Sequence, residues 1–201
     1  MKTKVYKMRG RNKMKKLAIC LMALLMVVSL VSCGGSSDVP SGYQRASDAS
    51  VCDYELFVPE TWIVKSGSPT NFTTATVAAG DKCNVSVMAV EKVTAATVGD
   101  YWKEQQAEYE ALLGTITVEE EGGKVTLGSG DKTVNGHRYV FTAKYTKGQT
   151  ATDYKFMQIF FLKTGGLSGS TLYVFTYTAT ADHYDSHLEA VNGILTNFAF
   201  K

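Results

Sequence analysis

For residues 51–201 the sequence predicts an α+β fold, an antiparallel sheet of about seven strands covered by helices as an α/β/α sandwich. Three observations predict it. Segments rich in Val, Thr, Tyr and Phe alternate with Gly-containing turns along most of the stretch. Only two segments, 97–113 and 182–198, change to the three-and-four spacing of a helix. The three longest β-rich segments follow one another directly, whereas parallel neighbours would need a crossover helix between them.

Residues 54–58 alternate Tyr54, Leu56 and Val58 against Glu55 and Phe57; Pro59 breaks the run before it resumes at 62–64, as at a sheet edge. Residues 71–79 and 83–91 are β-branched and alternating, and Gly80, Asp81 and Lys82 join them, which predicts a hairpin. In 97–113 the pair Thr97 and Asp100 resembles a capping box, and Gly114 supplies the stop. Val98, Trp102, Tyr109, Leu112 and Leu113 fall along one side and Lys103, Glu104, Glu108 and Glu110 along the other, so the helix packs on a sheet with its acidic side in water. Residues 115–121 and 124–128 read as two short strands around Gly122 and Gly123. Residues 133–145, 153–163 and 171–180 form a meander. Residues 182–198 return to the helical period through Leu188, Val191, Ile194, Leu195 and Phe198, with Asp182 or Asp185 where acids favour a helix start.

The N-terminus sets the compartment. Residues 1–16 hold eight Lys and Arg and no acid, and 17–31 are almost entirely apolar: the two parts of a secretory signal, too short for a comfortable membrane span. Met14, followed by Lys15 and Lys16, would serve equally as a start. Leu30, Val31 and Ser32 before Cys33 match a bacterial lipobox, so 1–32 is expected to be removed and Cys33 to carry lipid on its sulfur. Two or three acyl chains anchor stably, at about 0.8 kcal/mol per buried methylene. Residues 33–50, rich in Gly, Ser, Pro, Asp and Ala, read as a flexible tether. The protein is then expected on the extracytoplasmic face of a bacterial cell membrane, held through lipidated Cys33.

Removal of the signal reverses the charge. Of 21 basic residues 8 lie before position 17, leaving 13 against 19 acids, a net charge of −6. An acidic mature chain has no electrostatic basis for binding nucleic acid. Cys52 and Cys83 remain in an exported domain and permit one disulfide, closing a loop of about 30 residues, if their Cα atoms lie within about 7 Å. The alternative is two small buried thiols.

With these elements in order, the domain resembles the PsbP-like family. The likeness is carried by residues 54–62 at the start, the hairpin strand with Cys83, Asn84, Val85, Ser86 and Val87, the helix that follows from Val98 to Leu113, and residues 172–179 with Tyr184 and the closing helix. The resemblance implies an α/β/α fold. It also implies a role in binding other proteins, since members include photosynthetic extrinsic subunits, a Ran-binding nuclear-import factor and bacterial lipoproteins. It implies no catalytic residues and no cofactor.

No motif in the chain supplies chemistry. In 128–133 the resemblance to a phosphate loop fails because Asp131 stands where glycine is needed and a strand follows. Residues 165–170 lack the spacing of a nucleophile elbow and read as a loop. His183 and His187 stand one helical turn apart beside Asp182 and Asp185, the one constellation with metal-ligand spacing. Without a third ligand it reads as a surface helix, so no metal is expected there. Eleven tyrosines suit either an interface or a sheet-rich core, and the core is the commoner fate. The function expected is a non-enzymatic, membrane-anchored lipoprotein that binds or assembles proteins; the alternative is a small-ligand or metal carrier at the cell envelope.

Overall fold

The computed structural model describes residues 39–65, 72–147, 150–163, 167 and 170–201. The signal segment, Cys33 and most of the 165–170 loop lie outside the described residues.

One seven-stranded antiparallel sheet forms the body. Its strands are β4 (Ile63–Lys65), β5 (Phe72–Thr76), β6 (Asn84–Val90), β7 (Ile116–Leu127), β8 (Val134–Lys147), β9 (Thr150–Leu162) and β10 (Leu172–Thr180). They lie in the order β4-β5-β6-β10-β9-β8-β7. The expected hairpin is β5–β6 and the expected meander is β8 through β10, which β7 extends by one more antiparallel strand. The last strand then inserts beside β6, with Thr178 opposite Asn84. Two further pairs flank the sheet: β1 (Tyr43–Arg45) on β3 (Phe57–Pro59), and β2 (Tyr54–Glu55) on β11 (Ala199–Phe200).

Helices α1 (Val98–Leu113) and α2 (Leu188–Thr196) cover opposite faces. Thr97 caps α1 by accepting from the Asp100 amide, and Gly114, at φ +85°, ends it by donating to the Glu110 carbonyl. Beneath α1, the Trp102 ring stacks on Tyr139 at 4.6 Å, and Tyr109 stacks on Phe141 at 5.4 Å. Beneath α2, Val191, Ile194, Leu195 and Phe198 pack on Ile159, Phe161, Tyr173, Phe175 and Tyr177. Tyr54, Tyr101, Tyr109, Tyr139, Tyr154, Tyr173, Tyr177 and Tyr184 are all buried, so these tyrosines build core rather than surface. Among the described residues, no helix is long and apolar enough to cross a membrane.

Three elements differ from the sequence reading. Residues 43–47, inside the span 33–50 expected as tether, belong to the folded domain. Gly42 turns the chain at φ +78°, β1 pairs with β3, and the Ala46 amide donates to the Leu56 carbonyl. The two short strands expected at 115–128 are one strand, β7, because the positive φ of Gly122 absorbs register shifts as a bulge instead of ending the strand. The bulge and Glu119, Glu120 and Glu121 also blunt this edge against pairing with another chain. The expected helix over 182–198 shortens to nine residues. Its first turn is lost because the His183 amide donates to Thr180 and the Ser186 amide to His183, three-residue turns fixed by the Tyr177 hydroxyl on the Tyr184 carbonyl at 2.7 Å.

Candidate functional site

The polar and metal-ligating side chains converge at one end of the sheet, where the β5–β6 turn meets the exit of β10 and the start of β9. A cleft of about 570 Å³ opens there, lined by Gly80, Asp81, Lys82, Asp153, Asp182 and His183 among others. Gly80, at φ +81°, takes the chain into the turn. Asp81 Oδ1 then accepts the Cys83 amide at 2.7 Å, an Asx turn that fixes the carboxylate.

His183 and His187 do not face one another along a helix as their spacing suggested. His183 is exposed in the cleft, with Nε2 3.9 Å from Asp182 Oδ2. The Asp182 carboxyl is held below its ordinary range, chiefly by the Thr180 hydroxyl that donates to it. His187 ends a 3₁₀ turn (Asp185–His187) and leads into α2, and its half-buried ring meets the Trp62 ring edge-on at 6.5 Å. There it stands beside Asp81 and Cys83. One ligand atom from each of Asp81, Cys83 and His187 lies within 4.8 Å of the other two.

Cys52 and Cys83 are both free and buried. The disulfide their number permits is not made in this structure, for a reason of register. Cys52 Sγ lies 3.7 Å from Thr73 Oγ1, and Thr73 pairs with Val87, whereas Cys83 precedes Asn84 at the other end of β6. Four residues of strand separate those levels, roughly 13 Å against the limit of about 7 Å between Cα atoms.

A Cys, a His and an Asp side by side also suggest a nucleophile. The environment argues against it, because Cys83 is 0 % exposed and its thiol is pushed up to about 12, first by burial and then by its hydrogen bond to Asp81. A nucleophilic thiol needs access and the opposite shift. Sequence reading found His187 without its partners. Asp81 was visible only as part of a turn and Cys83 only as a strand residue and possible disulfide partner, and the register of β10 on β6 carries His187 to them from far along the chain.

No protein-family model matches the chain, and no curated protein matches it in sequence. Solved structures do resemble it. The Ran-binding protein Mog1p of Saccharomyces cerevisiae is 13% identical, with 79% of this chain and 95% of that one covered and a TM-score of 0.51. Cyanobacterial PsbP (CyanoP) from Synechocystis is 17% identical over 86% of this chain and 99% of that one, with a TM-score of 0.47. LpqN, involved in cell envelope biogenesis of Mycobacterium tuberculosis, is 14% identical over 74% and 83%, with a TM-score of 0.42. The likeness to Mog1p is one of fold, and the two helices on a seven-stranded antiparallel sheet are the architecture that the sequence resemblance implies.

Proposed function

From a PsbP-like fold as premise, we propose that the chain is a membrane-anchored bacterial lipoprotein whose domain binds or helps assemble other proteins at the extracytoplasmic face, without catalysis. The observation that carries this reading is the arrangement of the sequence: signal, lipobox with Cys33, a short Gly/Ser-rich stretch, then one folded domain. Lipid at Cys33 confines the domain to a layer near the membrane, where weak contacts act at high effective concentration.

Two further features support binding over transport of a small ligand. Both faces of the sheet are packed with aromatic side chains, and the cleft of about 570 Å³ opens at the end of the sheet rather than between sheet and helix. Mog1p, similar in fold, is a Ran-binding protein. The surface here is polar: among the described residues, Val51 and Leu112 are the exposed large apolar side chains. The partner is therefore recognised by charge and hydrogen bonding more than by an apolar patch.

The test is crosslinking of the intact protein in its native membrane followed by mass spectrometry, with Cys33→Ala as the unanchored control. Reproducible enrichment of one envelope complex, lost in the control, is the expected result. Equal recovery of that complex with the control would remove the anchor from the proposal. A substrate turned over by the purified chain, and stopped by a single side-chain change, would replace binding with catalysis.

A further inference from the structure

We propose that Asp81, Cys83 and His187 form a three-ligand site for a zinc ion at the cleft end of the sheet. The proposal does not depend on the protein-binding reading and stands on geometry. The three side chains come from two separate elements, the β5–β6 turn and the entry to α2, yet offer an oxygen, a sulfur and a nitrogen all within 4.8 Å of one another. Zinc takes these three donor types, with bonds of about 2.3 Å to sulfur and about 2.0–2.2 Å to nitrogen or oxygen. A tetrahedron of those bonds places neighbouring ligand atoms about 3.3–3.7 Å apart. The observed spacing therefore needs a closure on the order of 1 Å, within reach of side-chain rotation at the half-buried His187.

The surroundings favour occupancy. The bond from the Cys83 amide fixes the Asp81 carboxylate and leaves it acceptor capacity, as a carboxylate has two oxygens. Trp62, itself buried, holds the His187 ring from its edge. Asp81 also lines the cleft with Asp153 and Asp182, against Lys82 and against Lys144, whose Nζ lies 3.6 Å from Asp153 Oδ1, so acids outnumber lysines at the entrance. Coordination replaces the Cys83 S–H bond with a sulfur–zinc bond and releases one proton to solvent. Three protein ligands leave the fourth position to water. A thiolate with imidazole selects zinc over the hard cations magnesium and calcium, which take oxygen ligands.

The experiment uses the full chain in detergent micelles, stripped with a chelator and titrated first with Co²⁺ and then with Zn²⁺ against a competing chromophoric chelator. One equivalent of Co²⁺ is expected to give a thiolate-to-metal charge-transfer band that disappears in Cys83→Ser and persists in Cys52→Ser. Zinc affinity is expected to fall more than about 100-fold in Cys83→Ser and in His187→Ala, beyond the 10–100-fold that loss of an outer partner costs. In His183→Ala it is expected to stay unchanged. If Cys83→Ser does not fold, as judged by circular dichroism, the His187→Ala titration decides. Absence of the band in the unaltered chain, its persistence in Cys83→Ser, or undiminished zinc affinity in His187→Ala would overturn the proposal.

Discussion

Replacing Trp102 with alanine is expected to destabilise the domain by about 3–5 kcal/mol, the range for deleting a large aromatic from a packed core. Trp102 is 0 % exposed and is the ring around which the α1 face is built. It stacks on Tyr139 at 4.6 Å and lies 5.5 Å from Phe141 and 6.2 Å from Phe160, so it ties α1 to strands β8 and β9 together. Those neighbours sit on strands paired on both sides and cannot collapse into the space vacated. Domains of this size hold about 5–15 kcal/mol in all, so the variant loses a large share of its stability. Leu112→Ala, on the same helix but 39% exposed, provides the contrast and is expected to cost under about 1 kcal/mol. Urea unfolding followed by far-ultraviolet circular dichroism measures both. A cost below about 1 kcal/mol for Trp102→Ala would show that α1 is not anchored by this ring.

Gly128→Ala is expected to cost at least about 3 kcal/mol, through backbone that has nowhere to move. Gly128 ends β7 at φ +82°, a conformation that costs an L-residue about 1–2 kcal/mol by itself. An added Cβ would lie 2.6 Å from the Lys132 carbonyl oxygen and 2.8 Å from that of Phe198. Neither is a side chain that can swing aside. The amide of Gly128 also donates to Leu195 O at 2.8 Å, so relief by backbone shift would break the junction between β7 and the end of α2. Gly130→Ala separates the two contributions. Gly130 has φ +59° with nothing within 4 Å of the added Cβ, and its cost is expected to stay near the conformational 1–2 kcal/mol. Equal costs at the two positions in the same unfolding assay would contradict the close approach at Gly128.

The parts of the fold that the sequence made legible are those with local causes. Thr97, Asp100 and Gly114 bracket α1 within a residue of its observed ends, because caps act on adjacent amides and carbonyls. The β5–β6 hairpin and the β8–β10 meander follow from alternation and from Gly-containing turns such as the one at Gly80. What escaped depends on distant partners. Residues 43–45 look like linker by composition and become β1 because β3 offers them a strand to pair with. Residues 182–187 keep a helical period, yet the Tyr177 hydroxyl captures the Tyr184 carbonyl and bends them into turns. The site was less legible still. His187 was visible, but it reaches Asp81 and Cys83 only through the pairing of β10 with β6 and the packing of α2. No spacing in the sequence encodes that approach.

The measurement that tests the central claim most directly is the intact mass of the protein extracted from its native membrane. Anchoring through Cys33 predicts a chain that begins at Cys33, lacks residues 1–32 and carries the added mass of a diacylglycerol with or without a third acyl chain. A chain that keeps its N-terminal segment, or starts at another residue without lipid, would contradict the account.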